Sequence, residues 1–216
     1  MLSHNRKFKK IRKEWKGEWE KHVQQLREKF NPHMKFIAPN EDDVVWKFNG
    51  TTNSLDQWVV NCDRDYGHGY STAKLELSSN GTGIFHGVLD TRVAKDGRTT
   101  HAGYCNITSV PKYLSFRRKV PHDWTNYNEL VLRVRGDGRC YLVIRIPFSK
   151  FVYTRKAELH EVQSPLTTNV VKNLGITIAD KKPGPFRLEI DHISVCYNPT
   201  IYESFAYEMY DVERDN

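Results

Sequence analysis

The stretch 130–143, with the sequence LVLRVRGDGRCYLV, constrains the fold of this chain more than any other. Residues 130–135 alternate in side-chain type with the period of two that is typical of a half-buried strand. An Asp-Gly pair follows that suits the positive-φ positions of a tight hairpin turn, and the alternation resumes over 140–144. A β-hairpin is therefore predicted here. The turn residues, which we assign to folding and not to contact with a partner, are Arg135, Gly136, Asp137, Gly138 and Arg139.

Short stretches with the same character recur along most of the chain, separated by Gly, Asn, Asp and Pro residues. The strands predicted besides the hairpin are 44–48, 57–61, 72–78, 84–89, 102–108, 113–118, 171–179 and 186–197. In the last of these the apolar phase changes between Ile190 and Ile193, which indicates a β-bulge near Asp191-His192 or burial on both faces. Many short strands without alternating helices predict an all-β fold, a β-sandwich.

Residues 4–30 have a different period and predict one long amphipathic helix, which the Asn-Pro pair at 31–32 ends. Its apolar stripe consists of Phe8, Ile11, Trp15, Trp19, Val23, Leu26 and Phe30. Three destinations compete for this stripe, namely the body of the same domain, a partner protein and an anionic membrane surface. The candidate partner-binding residues are Phe8, Lys9, Lys10, Ile11, Arg12, Lys13, Trp15 and Trp19.

The net charge of +7 comes almost entirely from this arm. Residues 1–30 contain ten Lys or Arg and four Glu, whereas the remaining 186 residues contain 23 basic and 22 acidic side chains. A nearly neutral body offers no basic face that would extend a nucleic-acid surface, so no nucleic-acid partner is expected. The acid-poor first thirteen residues would also suit a mitochondrial transit peptide, but the regular stripe and the glutamates that follow favour mature protein.

Four widely spaced cysteines, Cys62, Cys105, Cys140 and Cys196, form no CxxC pair or Cys/His cluster, which favours free thiols in a reducing compartment. No apolar run approaches the roughly 18 residues of a membrane-spanning helix. No hydrophobic signal-peptide core is expected after Met1.

Two groups of polar residues are candidate sites of chemistry. Asp63, Asp65 and His68 share one loop, but they lack the oxygen-ligand spacing of a calcium loop. Glu189 and Asp191 could be the carboxylate pair of a glycosidase, yet charged residues at such strand positions are common. Neither a phosphate-binding glycine motif nor a nucleophile motif occurs. We therefore expect no enzyme activity, metal or cofactor.

A series of motifs in fixed order gives the chain a resemblance to a known family. They are Trp58, Cys62-Asp63, Gly103-Tyr104-Cys105, Asp123-Trp124, and the segments 132–141 (LRVRGDGRCY), 146–151 (IPFSKF), 178–181 (IADK), 186–193 (FRLEIDHI) and 205–208 (FAYE). Together they resemble the complex I intermediate-associated protein family, the mitochondrial assembly factors for NADH:ubiquinone oxidoreductase. The pattern along the chain predicts a helical arm and linker (1–43), a sandwich domain (44–199) and an aromatic, acidic tail (200–216).

This resemblance implies a jelly-roll sandwich similar to galactose-binding domains, without known catalysis. It implies a protein of the mitochondrial matrix that associates peripherally with the inner membrane, for which the basic amphipathic arm is suited. Its implied partners are membrane-arm subunits of complex I in assembly intermediates. Other implied partners are assembly factors similar to acyl-CoA dehydrogenases and to signalling adaptors, with which it would hold an intermediate until further subunits dock.

Two departures from the family pattern stand out. The early loop reads GHGYS over residues 67–71, where the family usually has Gly-Gly-x-Ser. In addition, Val143 is followed directly by Ile144, where the family normally has a segment of roughly two strands' length. Either this chain is a short form, or residues are missing at this junction and the hairpin's second strand ends at Val143. Because deleting strands from a sandwich would expose a long edge, the second interpretation is favoured.

A carbohydrate-binding module is the alternative from another functional class. Jelly-roll domains of this type often hold sugars through loop aromatics and nearby polar groups. The stacking candidates in this chain are Tyr66, Tyr70 and Trp124.

Overall fold

The computed structural model describes residues 2–30, 37–95, 99, 102–136, 140–155 and 158–208, and within the first helix it describes the side chains of residues 13–27. The helices are α1 (Leu2–Phe30) and α2 (Thr52–Leu55). The strands are β1 (Asp42–Lys47), β2 (Trp58–Cys62), β3 (Thr72–Leu77), β4 (Gly83–Leu89), β5 (Cys105–Ser109), β6 (Lys112–Tyr113), β7 (Lys119–Val120), β8 (Glu129–Arg135), β9 (Leu142–Pro147), β10 (Thr154–Arg155), β11 (Glu158–Leu159), β12 (Gly175–Ile178) and β13 (Gly184–Cys196).

Nine of these strands form two sheets around one core, whereas β6 with β7 and β10 with β11 form separate two-stranded sheets. The large sheet has the order β3-β4-β13-β8-β9, with β1 also paired to β13, and the small sheet has the order β12-β5-β2. Every pairing is antiparallel, so each sheet can pack one face on the core and leave the other in water. The predicted all-β sandwich with an N-terminal helix is confirmed.

The core draws side chains from both sheets. Phe85, Ile190 and Ile193 of the large sheet are at most 1% exposed, and Ile107 of the small sheet is fully buried. At one end the aromatic rings cluster, with Trp46 and Trp58 centred 5.6 Å apart. Large aromatic side chains bury much apolar area each, so this cluster contributes strongly to the stability of the sandwich.

Strand β13 organises the large sheet because it pairs with three other strands. Its first half pairs with β4, its second half pairs with β1, and residues 189–196 pair with β8. The register against β8 shifts between Ile190 and His192, which confirms the predicted bulge. The extra residue changes the phase, so Ile190 and Ile193 both reach the core although they stand three positions apart.

The predicted hairpin is present as β8 and β9, but its connection is longer than a two-residue turn. Val134 lies opposite Leu142, whereas a two-residue turn at Asp137-Gly138 would place it opposite Tyr141. The observed register puts Leu142 on the same face as buried Val134, which matches apolar to apolar side chains. The predicted turn residues Asp137, Gly138 and Arg139 lie outside the described residues. Strand β9 runs without a break through Val143 and Ile144 to Pro147.

Two predicted strands are wrong over much of their length. Residues 113–118 contain only the end of β6 and then a 3₁₀ turn over Ser115–Arg117. Phe116 in that turn has φ 56° and ψ 32°, a left-handed conformation that no strand can contain. The predicted strand 171–179 is regular only over Gly175–Ile178, because Val171 is held by an isolated bridge to His122.

The two ends of the sandwich domain differ from the predicted pattern in detail. Strand β1 begins at Asp42, within the stretch read as a linker. In the tail, Ala206 is buried while Tyr202 is 88% exposed, so the part described up to residue 208 packs only in part, as expected. The residues that were predicted to stop the first helix, 31–32, lie outside the described part of the chain.

Candidate functional site

The N-terminal helix lies against the turn Ser115–Arg118, which the sequence did not single out. Phe116 is the centre of this contact, with its ring 5.9 Å from the ring of Trp15 and 5.8 Å from the ring of His22. Its backbone N–H donates to Glu18 Oε2 at 2.7 Å. The left-handed backbone at Phe116 forms the turn from which these contacts to the helix are made. The turn is therefore the seat of the helix on the sandwich.

Polar side chains complete the seat beside the Phe116 ring. Ser115 is buried and its Oγ donates to Gln25 Oε1 at 2.9 Å. The same hydroxyl lies 3.3 Å from His22 Nδ1, and the Arg118 guanidinium donates to Gln25 Oε1 at 3.4 Å. Because these groups find partners on α1, the helix is fixed in both rotation and register along its axis.

The carboxylate of Glu18 links the helix to the turn electrostatically. Its pKa is lowered, first by the hydrogen bond from the backbone of Phe116 and then by the hydrogen bond from Lys21. The Lys21 ammonium lies 3.0 Å from Glu18 Oε1. Both oxygens of this carboxylate thus accept bonds, and it is ionised at neutral pH.

The docked helix still presents its tryptophans to solvent. Trp15 is 66% exposed and Trp19 is 60% exposed, although each makes one ring contact. Leu26 on the same stripe is also exposed. The body of the domain therefore takes only part of the stripe, and the tryptophan face remains accessible. Large exposed aromatic side chains on one face are typical of a surface that binds a partner.

The predicted partner-binding residues are described only in part. Lys13 is exposed on α1. The backbone of α1 also includes the more N-terminal candidates, but their side chains lie outside the described residues. These candidates are Phe8, Lys9, Lys10, Ile11 and Arg12. The structure thus places Trp15 and Trp19 exposed on one helix, and contact of any of these residues with a partner stays a prediction.

The residues proposed for sugar stacking do not come together as one platform. Trp124 is 5% exposed and packs in the core, stacked on Phe148 at 5.8 Å. Tyr66 and Tyr70 are exposed, but Tyr66 stacks on His68 and the guanidinium of Arg92 covers the Tyr70 ring at 5.1 Å. A tryptophan buried in the core cannot stack on a sugar, so Trp124 drops out of the three stacking candidates.

The carboxylates considered for metal binding organise their own loop. Asp63 is fully buried, and its oxygens accept bonds from Ser71 and from the backbone N–H of Gly103, the latter at 2.6 Å. Asp65 accepts a bond from the backbone N–H of Cys62 at 2.8 Å. Among the residues that the structure describes, no three His, Cys, Asp or Glu side chains converge as metal ligands.

Glu189 belongs to a buried ion pair and has no access to a substrate. It is fully buried, and it accepts hydrogen bonds from Thr82 Oγ1 at 2.6 Å, from the Tyr141 hydroxyl at 2.7 Å and from Arg135 Nε at 3.0 Å. Burial alone would raise its pKa, but these bonds outweigh burial and lower the pKa to about 2. A carboxylate that is ionised at all ordinary pH values cannot act as a general acid.

Three further candidates from the carboxylate pair and the hairpin turn are described, namely Asp191, Arg135 and Gly136. Asp191 Oδ2 accepts from the Arg133 guanidinium at 2.7 Å. Arg135 donates to Glu189 and also lies over the ring of Tyr141 at 5.0 Å, while the assignment of the turn residues to folding stays a prediction. Gly136 has open space around its Cα, so this position does not need a glycine for packing.

Comparison with known proteins identifies the family. The family model described as complex I intermediate-associated protein 30 matches residues 46–144 and again residues 142–190. The relative in Drosophila melanogaster, named complex I intermediate-associated protein 30, mitochondrial, is 38% identical over 225 residues, covering 88% of this chain and 75% of its own length. The mouse relative of the same name is 31% identical over 226 residues, covering 87% of this chain and 68% of its own.

A solved structure with a related shape is a family 11 carbohydrate-binding module from Clostridium thermocellum in complex with a tetrasaccharide. It covers 73% of this chain and 96% of its own, with a TM-score of 0.47 and 13% sequence identity. A likeness at this level carries no argument about what the present chain binds.

The described helices include none with the length and apolarity that crossing a bilayer requires.

The matches of the family model cover more than half of the chain, and the Drosophila relative is aligned over most of both chains. The expected resemblance is therefore confirmed: this chain belongs to the complex I intermediate-associated protein 30 family.

Proposed function

We propose that this chain is a non-enzymatic assembly factor for mitochondrial complex I. It binds membrane-arm intermediates of the complex and other assembly factors, among them proteins similar to acyl-CoA dehydrogenases and to signalling adaptors. It acts in the matrix, in peripheral contact with the inner membrane. Membership of a family whose curated members carry mitochondrial, complex I intermediate-associated names supports the role in assembly.

The observation that carries the binding part of the proposal is the exposed tryptophan face of α1. Trp15 and Trp19 stand beside basic residues on a helix that is anchored through Phe116. Because the helix is held in a defined orientation before a partner arrives, binding does not bear the full entropic cost of ordering it. Such an anchored aromatic face suits a groove on a partner protein, with the basic residues at its rim or near anionic lipid.

The test compares variants of the tryptophan face with a control variant elsewhere on the chain. Each tagged chain is expressed in cells that lack the native family member, purified from gently solubilised mitochondria and assayed for complex I intermediates by native-gel mass spectrometry. Trp15→Ala combined with Trp19→Ala is expected to lower capture strongly, since a central aromatic contact contributes roughly 2 kcal/mol or more to binding. Tyr202→Ala removes an aromatic side chain of comparable exposure elsewhere and is the matched control.

The single variant Trp19→Ala separates partner contact from helix docking, because the one ring contact of Trp19 in the described structure is to His22 of its own helix. Loss of capture in Trp19→Ala with normal capture in Tyr202→Ala supports the assignment. Undiminished capture in the double variant would show that the tryptophan face does not bind the partner. Absence of complex I subunits from every purification would contradict the proposed role in complex I assembly.

A further inference from the structure

Cys62 and Cys105 lie opposite each other in the small sheet. Cys62 is the last residue of β2 and Cys105 is the first residue of β5, and the antiparallel register pairs them directly. Residues opposite each other in such a pair project to the same face. Cys62 is 4% exposed within the core cluster, and Cys105 is fully buried beside it. The two thiols are therefore neighbours on the inner face of the small sheet.

The position of this pair in the ladder suits a covalent bond between the two sulfur atoms. The backbone N–H of Asp63 donates to the carbonyl of Tyr104 at 3.2 Å, one step beyond the cysteines. Hydrogen-bonded positions alternate along an antiparallel pair, so Cys62 and Cys105 occupy a non-hydrogen-bonded position, where Cα atoms are about 4.5 Å apart. Disulfides connect Cα atoms that are about 4.4–6.8 Å apart. The backbone therefore does not have to move far for the bond to form.

The two thiols also contact each other. The Cys105 thiol donates a hydrogen bond to the Cys62 sulfur, and burial raises the pKa of both groups. Because this hydrogen bond favours the thiolate of Cys62 over that of Cys105, Cys62 is the nucleophile of the pair. Its small exposed fraction, at the end of β2, makes it the point of entry for a reagent as well.

The other two cysteines are not placed to compete for either member of this pair. Cys196 lies in β13 of the large sheet, opposite Asp42 of β1 and Glu129 of β8. Cys140 is exposed in the connection between β8 and β9. All four cysteines are free thiols in the structure. The fold therefore defines one pairing among them.

We propose that Cys62 and Cys105 are a site of reversible oxidative modification, at which a small disulfide such as glutathione disulfide converts the two thiols into one cross-strand disulfide. The pair stays reduced in a reducing compartment and forms the bond as the ratio of glutathione disulfide to glutathione rises. The site is separate from the tryptophan face of α1 and does not depend on the role in complex I assembly.

The reaction is a thiol–disulfide exchange in two steps. The Cys62 thiolate attacks one sulfur of glutathione disulfide, forming a mixed disulfide and releasing one glutathione thiolate. The Cys105 thiolate then attacks the Cys62 sulfur, the bond to glutathione breaks, and the second glutathione thiolate leaves. The two cysteine protons end on the two glutathione molecules. The cysteine pair loses two electrons, and glutathione disulfide gains them.

The bond would join two parts of the chain that are 105 − 62 = 43 positions apart. The segment between them contains β3 and β4, which belong to the large sheet. A disulfide that encloses a long segment restrains the unfolded chain and so stabilises the folded one. Oxidation is therefore expected to raise the melting temperature of the sandwich.

The test uses the full chain with Cys140→Ser, which removes the exposed thiol and leaves three cysteines. The reduced, unfolded chain is refolded in a buffer of reduced and oxidised glutathione, denatured, alkylated and mapped by mass spectrometry. One bond between Cys62 and Cys105 is expected, with one free thiol left, and the melting temperature is expected to rise by about 5–10 °C. Dithiothreitol is expected to reverse both changes. Three free thiols, or the same mixture of pairings as in chain oxidised in denaturant, would overturn the proposal.

Two further variants in the same background assign the effect to this pair. Cys105→Ala is expected to form no bond within the chain and to melt at the same temperature with and without the oxidant. Cys196→Ala removes a buried thiol of the other sheet and is the matched control, which is expected to keep the bond and the shift. A rise in melting temperature that persists in Cys105→Ala would assign it to another cause and contradict the proposal.

Oxidation of the already folded chain tests whether the modification is available to the native protein. The same glutathione buffer is expected to produce the same bond more slowly than during refolding, because the end of β2 has to open before Cys62 can react. A bond that forms on refolding and never in the folded chain would contradict a reversible modification of the native protein.

Discussion

At the scale of single residues, Glu189 has the most demanding environment in the described structure. Its carboxylate is fully buried, and the hydrogen bonds that replace water come from Arg135, Thr82 and Tyr141, with a longer one from Arg187. A buried charge is tolerated only when it is paired and hydrogen-bonded, so removing one partner is far more costly than the net value of the pair. The position therefore connects β13, the turn after β8 and the loop before β4.

This environment makes the free energy of unfolding of the chain depend on pH in the acidic range. The pKa of Glu189 is lowered to about 2 in the folded chain from an ordinary value of 4.5, so the unfolded chain takes up the proton first as pH falls. The stabilisation is complete above about pH 5 and is lost progressively as pH falls toward 2, with a total on the order of 3 kcal/mol. Denaturant unfolding followed between pH 7 and pH 2 measures this loss.

The variant Glu189→Gln is the matched control for that titration. It is expected to be destabilised by roughly 3–5 kcal/mol at neutral pH, because Arg135 is left without its carboxylate. Its free energy of unfolding is expected to depend less on pH over the same interval. An acid dependence that is equal in the variant and the parent would assign the effect to other carboxylates.

Thiol chemistry gives a second prediction at this scale. Cys62, Cys105 and Cys196 are buried, and burial raises the pKa of each thiol, whereas Cys140 is exposed. Since the thiolate is the reactive form, a thiol-specific reagent is expected to label one cysteine per native chain. Cys140→Ser is expected to abolish that rapid labelling, and all four sites are expected to react after denaturation. Rapid native labelling of the variant would show that the sandwich opens more readily than its packing indicates.

At the scale of elements, the docking of α1 depends on a turn and not on a strand. Phe116→Ala removes the ring contacts to Trp15 and His22, each typically contributing about 0.5–1.5 kcal/mol. We expect faster hydrogen exchange in the middle of α1 and an unchanged melting temperature of the sandwich, because Phe116 is exposed and outside the core. Tyr113→Ala, a change at a similarly exposed aromatic side chain outside the seat, is the control. Unaltered exchange in α1 would show that Phe116 does not hold the helix.

The elements also show which parts of the structure can be read from the sequence. Alternation locates β8 and β9, and the three- and four-residue spacing locates α1, because each pattern directly reflects the geometry of one element. The phase change between Ile190 and Ile193 is visible for the same reason and predicts the bulge that the structure contains. Patterns of this kind are sufficient to predict the main strands and the N-terminal helix.

Other features depend on contacts between distant parts of the chain. The left-handed turn at Phe116 is stabilised by residues about a hundred positions away on α1, and no glycine or asparagine marks it. In the sequence, Trp124 is surrounded by polar residues, as an aromatic residue in an exposed loop would be. Only its packing against Phe148 in the structure shows that it belongs to the core. The seat of the helix therefore escaped prediction, while the tryptophans of the candidate surface did not.

At the scale of the whole molecule, the chain combines a sandwich with a helix that presents an exposed tryptophan face. This face is anchored through the turn at Phe116. Contact of this face with a partner is the part of the proposed role that the capture of complex I intermediates tests.

The measurement that tests the central claim most directly is native-gel mass spectrometry of mitochondria that express this chain at its normal level. The account predicts that the chain is found in mitochondria and migrates together with membrane-arm subunits of complex I and other assembly factors. Migration only as a free protein near its own mass of 25.3 kDa, or absence from mitochondria, would contradict it.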